Sequence, residues 1–217
     1  MLVIGHFGKP VIIFPSTMGR YHESKDFGLI KAAEHLVDEG KVKFYCVDSI
    51  DKLSWYNKNI HPADRAKNHD WFDQFIVDEV VNPIRESYGV KKVAVAGASF
   101  GAYHAANFAF RHPEMVSDLI SMSGAFDIRN FVDGYYDDKI YFNNPIDYLP
   151  GQNHPELWNM NIILGVGEWD ICLEPTNKLA SILTQKNIKH WYDLRRWAKH
   201  DWPLWREMFP DYLAAIV

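Results

Sequence analysis

Residues 93–103 read VAVAGASFGAY, and the rest of the chain is organised around this stretch. A short apolar run leads into the pattern Gly97-x-Ser99-x-Gly101, and alanines follow it at helical spacing. This order predicts a strand, a sharp turn and a helix, with Ser99 at the apex of the turn. The flanking positions are glycine because side chains there would clash where the helix folds back against the strand. The turn would therefore hold the Ser99 hydroxyl clear of the sheet, beside the positive end of a helix.

The same pattern also fits an ordinary turn serine, because glycine and serine are both common in proteins. A preceding strand and a following helix are the context that distinguishes a nucleophile from such a turn. Both elements are predicted here, so we interpret Ser99 as a candidate nucleophile.

Strand-like and helix-like segments alternate along the chain. Besides the strand before Ser99, strands are predicted at 2–4, 11–14, 43–48, 119–122, 161–164 and 190–192. Besides the helix after Ser99, helices are predicted at 25–39, 70–88 with a kink at Pro83, 175–186, and after Pro203. Residues 49–68 are expected to be irregular, and residues 124–158 lack periodicity, which in a compact domain usually marks a functional segment. The alternation predicts an α/β protein with a mostly parallel central sheet and helices on both faces.

The composition is typical of one globular domain over residues 1–217, with no large cap domain. A net charge of −5 without a basic stripe argues against a nucleic-acid partner. No apolar run reaches the roughly 18 residues of a membrane span, and the first residues lack the pattern of a signal peptide. Only two cysteines, Cys46 and Cys172, are present, so we expect no disulfide framework and a cytoplasmic location.

A serine nucleophile needs a base that takes its proton and a carboxylate that holds the base. In α/β enzymes of this kind the residues follow the order Ser, acid, His, and they lie beyond the carboxyl ends of strands. Asp170 leaves the predicted strand at 161–164, and His200 follows the last predicted strand. These two residues are therefore the predicted acid and base.

Other residues could fill these roles, because the chain contains ten histidines. Asp127 follows an earlier strand and is an alternative acid. His104 and His112 lie within and at the end of the helix after Ser99, so neither can readily reach back over it. His190 begins a strand, at the end opposite the expected site. No histidines have a zinc-ligand spacing such as H-E-x-x-H, so no metal or other cofactor is predicted.

An oxyanion formed by attack of Ser99 needs two backbone N–H donors. The residue after the nucleophile, Phe100, supplies one by geometry. The second is expected from the loop after an early strand, at residues 15–18. Pro15 has no N–H, so Thr17 is the predicted donor and Met18 the alternative.

Several aromatic side chains are candidates for a substrate wall, although core packing accounts for such residues more often. Trp169 and Trp202 stand beside the predicted acid and base in the sequence. With Met18 of the oxyanion loop, they are the predicted substrate contacts. The aromatic residues of the 124–158 segment are further candidates: Tyr135, Tyr136, Tyr141 and Phe142.

Four stretches resemble the α/β-hydrolase superfamily, and within it the esterase group that includes esterase D-like proteins, feruloyl esterases and mycolyltransferases. They are GASFG at 97–101, SGAFD at 123–127, GEWD at 167–170 and HDWPLW at 200–205. The likeness spans about residue 10 to the end. It implies the nucleophile Ser99, the acid Asp170 and the base His200. The chain departs from this group before the oxyanion residue, where Pro15-Ser16 replaces the usual His-Gly or Asp-Gly.

We therefore expect a serine carboxylesterase that hydrolyses small acyl, carbohydrate or aromatic esters through an acyl-enzyme intermediate. Its partner would be a small-molecule ester, and the sequence does not indicate an oligomeric state. An acyltransferase would use the same triad, and a non-catalytic binding protein could keep the same fold.

Overall fold

Seven strands form one sheet in which only the first strand runs against its neighbour. The computed structural model describes residues 1–217. The strand order is β1-β3-β2-β4-β5-β6-β7, and every pair except β1 with β3 is parallel. The strands are β1 (Leu2–Ile4), β2 (Lys9–Phe14), β3 (Val42–Cys46), β4 (Val93–Ala98), β5 (Val116–Met122), β6 (Asn161–Trp169) and β7 (Trp191–Lys199).

Ten α-helices connect and cover these strands, and several are a single turn long. They are α1 (Glu23–Asp26), α2 (Leu29–Ala32), α3 (Glu34–Asp38), α4 (Pro62–Phe75), α5 (Asn82–Tyr88), α6 (Phe100–Arg111), α7 (Asp138–Tyr141), α8 (Pro145–Tyr148), α9 (Leu173–Gln185) and α10 (Trp202–Ala214). No helix has the length and apolar character needed to cross a membrane.

The sheet separates two apolar cores, because successive side chains of a strand point to opposite faces. In β2, Ile12 and Phe14 join the core under α4, α5, α6 and α9, whereas Val11 and Ile13 join the core under α2, α3 and α10. Helices therefore cover both faces of a mostly parallel sheet. This architecture confirms the predicted fold class, and at 217 residues the chain carries no large cap.

The predicted helix at 25–39 is wrong in detail, since three short helices occupy this region. Gly28 lies between α1 and α2 with a φ of 77°, a left-handed conformation that ends the first helix. The apolar spacing predicts a buried face made of Phe27, Ile30, Ala33, Leu36 and Val37, and all of these side chains are buried except Phe27, which is 51% exposed. The periodicity predicted the buried face but not the breaks in the backbone.

The prediction of irregular structure at 49–68 is wrong for its last residues. Helix α4 begins at Pro62, which stands at the first helical position, and the His61 side chain accepts the Ala63 N–H as a cap. The structure at the predicted kink is a π-helical segment, Ile76–Val81, immediately before α5. Pro83 cannot donate the hydrogen bond that a regular helix requires there, and the wider turn accommodates this gap.

Two strands extend further toward their carboxyl ends than the sequence predicts. β6 continues to Trp169 and β7 continues to Lys199. The register between them shifts near Gly167, and Trp197 has a φ of 62°, so the ladder bulges there. As a result Asp170 and His200 each follow directly on the end of a strand, and the two strands are neighbours.

Candidate active site

Ser99 lies at the sharp turn between β4 and α6. Its φ of 56° and ψ of −122° are strained for a residue with a side chain, and its N–H donates to Met122 O at 2.9 Å. A Cβ on Gly97 would lie 2.2 Å from the Gly101 carbonyl carbon, and one on Gly101 would lie 2.4 Å from Phe14 O. Only glycine therefore allows the helix to approach β4 and β2 so closely.

His200 joins Ser99 to Asp170 through both of its ring nitrogens. His200 Nε2 is 2.9 Å from Ser99 Oγ, and Nδ1 is 2.7 Å from Asp170 Oδ1. An ionised carboxylate only accepts hydrogen bonds, so Nδ1 carries the proton and Nε2 accepts from the serine hydroxyl. The structure thus brings together the three residues predicted from the sequence, in the arrangement that a serine nucleophile requires.

The Asp170 carboxylate is buried, whereas the His200 side chain keeps 18% of its surface exposed. Burial alone would raise the pKa of Asp170, but interactions with His200, the nearby Ser123 and the Cys172 N–H outweigh it and hold this pKa below its usual value. Asp170 is therefore ionised at neutral pH, and the imidazole beside it remains open to a substrate.

The alternative acid and bases are engaged elsewhere. Asp127 pairs with Arg129 at 2.8 Å near the surface. His104 is buried and bonded to Asp51, and His112 is bonded to Asp73, each at 2.8 Å. None of these three side chains forms a hydrogen bond with Ser99, whose hydroxyl is bonded to His200.

The loop after β2 lies against the turn that holds Ser99, since Pro15 O is 2.5 Å from the position of a Cβ on Gly101. The N–H groups of Thr17 and Phe100 have no acceptor within the protein. The Met18 N–H, in contrast, donates to Asp51 Oδ2 at 2.7 Å. Met18 is thus engaged and cannot be the alternative oxyanion donor, whereas Thr17 and Phe100 are both free to donate.

Asp51 is a residue of the site that the sequence did not reveal. It is fully buried and accepts hydrogen bonds from the Met18 N–H and from His104 Nε2. Its only signal in the sequence is its place in the loop that follows β3, within the stretch predicted to be irregular. Nothing local distinguishes it from Asp48, the other acidic residue of that loop.

The predicted aromatic contacts are only partly gathered at the site. Trp169 is 54% exposed and packs edge-on against Trp197, with ring centroids 5.3 Å apart. Trp202 stacks on Phe27 at 4.7 Å. Trp169 directly precedes Asp170 and Trp202 closely follows His200, whereas Trp197 lies in β7 and Phe27 lies between α1 and α2.

Tyr141 and Phe142 do not join this group, so the expectation that they line the same wall is wrong. They line a cavity of about 650 Å³ that opens beside Arg111 and His112, whereas Ser99 stands at the opposite end of α6. The other two predicted aromatic residues also have partners of their own. Tyr135 packs against His61, and the Tyr136 hydroxyl donates to Asp147.

One group of three potential metal ligands is present, formed by Asp170, Cys172 and His200 with ligand atoms within 4.8 Å of one another. Both ring nitrogens of His200 are already engaged, by Asp170 and by Ser99. Burial raises the pKa of the Cys172 thiol to about 12, which keeps it protonated. The arrangement suits proton transfer from serine to histidine.

Solved structures with the same fold include several ester hydrolases. A ferulic acid esterase is 16% identical and superposes with a TM-score of 0.76 over 97% of this chain and 85% of that chain. The S-formylglutathione hydrolase of Staphylococcus aureus is 15% identical, with a TM-score of 0.71 over 100% and 83% of the two chains. The fluorophosphonate-binding serine hydrolase F of Staphylococcus aureus is 12% identical, with a TM-score of 0.70 over 97% and 84%. Identities this low establish the shared fold.

A comparison with curated proteins finds no match. The model of the Esterase family, described as putative esterase, matches residues 12–216. This range contains the last residues of β2, all of β3 to β7, and the residues Ser99, Asp170 and His200. The chain therefore belongs to the esterase family, and it is a carboxylic ester hydrolase.

Proposed function

We propose that this protein hydrolyses small acyl, carbohydrate or aromatic esters, with Ser99 as nucleophile, His200 as base and Asp170 as the acid that orients it. The observation that carries the proposal is the unbroken chain of hydrogen bonds from Ser99 Oγ through the His200 ring to Asp170 Oδ1. A serine hydroxyl is a weak nucleophile until a neighbouring base accepts its proton. The position of His200 Nε2 supplies that base.

In the first half of the reaction, Ser99 Oγ attacks the ester carbonyl carbon as His200 Nε2 takes the hydroxyl proton. The ionised Asp170 stabilises the imidazolium that forms. The negative charge on the carbonyl oxygen is met by the free N–H groups of Phe100 and Thr17. When the tetrahedral intermediate collapses, His200 gives its proton to the leaving alcohol, and the acyl group stays on Ser99.

In the second half, water takes the place of the alcohol. His200 removes a proton from the water as it attacks the acyl carbon, and the same two N–H groups stabilise the new oxyanion. The bond to Ser99 Oγ then breaks, the serine recovers its proton from His200, and the carboxylic acid leaves. Each proton taken is returned, so the enzyme ends the cycle unchanged.

The substrate class is supported by the rim of the site. Exposed Trp169 and the stacked Trp202 offer flat apolar surfaces beside the triad, which suit sugar rings and aromatic acids. Met18, which is 38% exposed, lies beside the oxyanion donors and would contact the acyl group. Two structural neighbours are named for ferulic acid and for S-formylglutathione, and these names fit an aromatic ester and a small acyl group.

A cytoplasmic location is part of the same proposal. Cys46 and Cys172 are both free and buried, so the fold is built without a disulfide. Proteins that fold with reduced cysteines are typical of a reducing compartment.

The test is hydrolysis of p-nitrophenyl acetate, p-nitrophenyl butyrate and methyl ferulate by the native protein and by Ser99→Ala. We expect turnover by the native protein and a loss of at least about 10⁴-fold in kcat for Ser99→Ala. The matched control is Ser121→Ala, which removes another buried hydroxyl of the neighbouring strand and should leave kcat unchanged. A fluorophosphonate probe should label the native protein and Ser121→Ala but not Ser99→Ala.

Equal turnover by the native protein and Ser99→Ala would overturn the proposal, as would the absence of both turnover and labelling. Addition of a sugar or alcohol acceptor separates hydrolysis from acyl transfer. Release of the free acid, with no acylated acceptor, is expected. Transfer to the acceptor in preference to water would make the enzyme an acyltransferase that uses the same triad.

A further inference from the structure

Two buried residues outside the triad, Ser123 and Trp205, are bonded to each other, and Trp205 packs against the His200 ring. We propose that Ser123 is a positioning residue: its hydroxyl donates a hydrogen bond to Asp170 Oδ2, in a direction that Trp205 fixes. This inference rests on the proposed function, since it concerns how the acid and base of that reaction are held. It assigns a role to parts of the SGAFD and HDWPLW stretches that the reaction itself leaves unused.

Ser123 is held rigidly at the carboxyl end of β5. It is fully buried, its φ is 56°, and its N–H donates to Gly165 O at 2.7 Å, which ties it to the neighbouring β6. A non-glycine residue in the left-handed region is uncommon and persists only where its surroundings impose it. The backbone therefore fixes where the Ser123 side chain starts.

The bond between Trp205 and Ser123 settles which atom donates. Trp205 Nε1 is 2.9 Å from Ser123 Oγ, and both side chains are buried. An indole nitrogen donates only, so Ser123 Oγ is the acceptor of this bond. The Ser123 hydroxyl proton takes no part in this bond, and no acceptor lies at ordinary hydrogen-bonding geometry to receive it. A buried hydroxyl in that position requires one.

Asp170, in turn, has a carboxylate oxygen that lacks a hydrogen-bond donor. Its Oδ1 receives two hydrogen bonds of 2.7 Å, from His200 Nδ1 and from the Cys172 N–H. Its Oδ2 is buried and has no partner at ordinary distance and angle. The Ser123 hydroxyl is close enough to contribute to the lowered pKa of this carboxyl group. Geometry links the same two groups, because Trp205 is bonded to Ser123 and packs against the His200 ring that is bonded to Asp170.

Trp205 acts on the histidine as well. Its ring packs at 90° against the His200 ring, with centroids 5.1 Å apart. Trp205 belongs to α10, whose buried side chains Met208, Phe209 and Tyr212 anchor it to the sheet. One rigid side chain thus contacts the imidazole directly and the carboxylate through Ser123.

The consequence for the reaction is orientation of the acid. A carboxylate held only through Oδ1 can rotate about its Cβ–Cγ bond and carry Oδ1 away from His200 Nδ1. A donor on Oδ2 prevents that rotation. Without it, Ser99 and His200 are aligned for a smaller fraction of the time, which lowers kcat and leaves substrate binding unaffected.

The experiment compares Ser123→Ala, Trp205→Phe and the double variant with the native protein on p-nitrophenyl acetate. We expect Ser123→Ala to lower kcat about tenfold with KM unchanged, since supporting hydrogen bonds of this kind are worth about 10- to 100-fold. Trp205→Phe keeps an aromatic ring beside His200 but removes the donor, and it should lower kcat in the same way. The losses should not add in the double variant, because both changes break one chain of hydrogen bonds.

The pH–rate profile separates positioning from a merely structural effect. Loss of the donor leaves the negative charge of Asp170 less stabilised by its surroundings, so the carboxylate interacts more strongly with a proton on His200 and favours imidazolium. The acid limb of kcat/KM should therefore move to higher pH in Ser123→Ala. The control is Ser121→Ala, whose buried hydroxyl has no hydrogen-bond partner, and its profile should match the native one. Thermal unfolding midpoints of all variants show that each is folded at the assay temperature.

Two results would overturn the inference: a kcat for Ser123→Ala within twofold of the native value with an unmoved acid limb, or fully additive losses in the double variant. Failure of the proposed function looks different, because the native protein itself would then neither turn over esters nor react with a fluorophosphonate. In that case the downfield proton resonance of His200 Nδ1–H still tests the inference. It should shift in Ser123→Ala and stay in place in Ser121→Ala.

Discussion

Asp51 accepts the backbone N–H of Met18 at 2.7 Å and so ties the loop after β3 to the loop after β2. Met18 is held with a φ of 58°, which a non-glycine residue adopts only when its surroundings require it. The same contact leaves the neighbouring Thr17 N–H free. A buried carboxylate, itself bonded to His104, thereby holds the backbone conformation of one side of the proposed oxyanion site.

This relationship predicts that Asp51→Ala lowers kcat. With Met18 released, the loop can take other conformations, and the Thr17 N–H is no longer aimed at the oxyanion. Removal of a direct donor costs about 100- to 1000-fold in kcat, so displacement of this one should cost at least about tenfold. Kinetics with p-nitrophenyl acetate measure the effect.

Asp51→Asn keeps an oxygen that can accept the Met18 N–H and should retain more activity than Asp51→Ala. Asp48→Ala is the matched control, because Asp48 lies nearby in sequence but pairs with exposed Arg20. A kcat for Asp51→Ala equal to that of Asp48→Ala would show that the loop holds its shape without this contact.

Asp170→Asn should reduce kcat by about 10³- to 10⁴-fold with little change in KM. An amide in place of the carboxylate favours the imidazole tautomer that carries its proton on Nε2, where it can no longer accept from Ser99. Steady-state kinetics measure the loss. Asp127→Asn changes the rejected alternative, which pairs with Arg129 at the surface, and should leave kcat unchanged. The reverse ranking of these two variants would identify Asp127 as the acid.

Stability should fall at mildly acidic pH because of His69. This side chain is buried, and burial, with further contributions from His104 and Arg111, lowers its pKa well below 6.5. Above about pH 6.5 the group is neutral in both the folded and the unfolded chain and has no effect. Below it the unfolded chain binds a proton that the folded chain refuses, so the free energy of unfolding declines by up to about 1.4 kcal/mol per pH unit.

Urea unfolding at pH 7.5 and pH 5.5 measures this decline. The difference between the two pH values should be smaller for His69→Gln than for the native protein, because glutamine does not titrate. His35→Gln changes a histidine that is exposed in α3, and it should keep the native difference. An equal decline in native protein and His69→Gln would assign the effect to other groups.

Gly97→Ala should unfold or strongly destabilise the protein. The added methyl group would meet the Gly101 backbone at 2.2 Å, so β4 and α6 would have to separate. A loss of about 3 kcal/mol or more is expected, as for other substitutions that break close backbone packing. Gly151→Ala places its methyl group 3.9 Å from the nearest atom and is the control that should remain near native stability. Thermal and urea unfolding of both variants give the comparison.

The parts of the site that follow from local sequence were predictable. The strand, the two glycines and the helix around Ser99 predict its position at the turn. Asp170 and His200 were placed by chain order and by the ends of their strands, even though β6 and β7 extend further than their apolar runs suggested. An apolar run indicates the buried part of a strand and gives no sign of the exposed part, which here carries the site.

Features that depend on contacts between distant segments were not predictable. Asp51 acts on Met18 across 33 residues, and the bond from Trp205 to Ser123 spans 82 residues. No local pattern encodes either contact. Likewise, the periodicity of residues 25–39 reports which side chains face the sheet, whereas the breaks between α1, α2 and α3 are backbone events that leave that periodicity intact.

The position of β7 has a consequence for how the protein fails under stress. β7 is one of the two edge strands, none of its residues is fully buried, and His200 follows its last residue. Segments at a sheet edge open more readily than the interior, and such an opening would withdraw His200 from Ser99 while the central strands stayed folded. Inactivation should therefore precede global denaturation, at a urea concentration where circular dichroism is still native. Esterase activity would therefore measure whether β7 is folded, and circular dichroism would measure whether the other strands and the helices are folded.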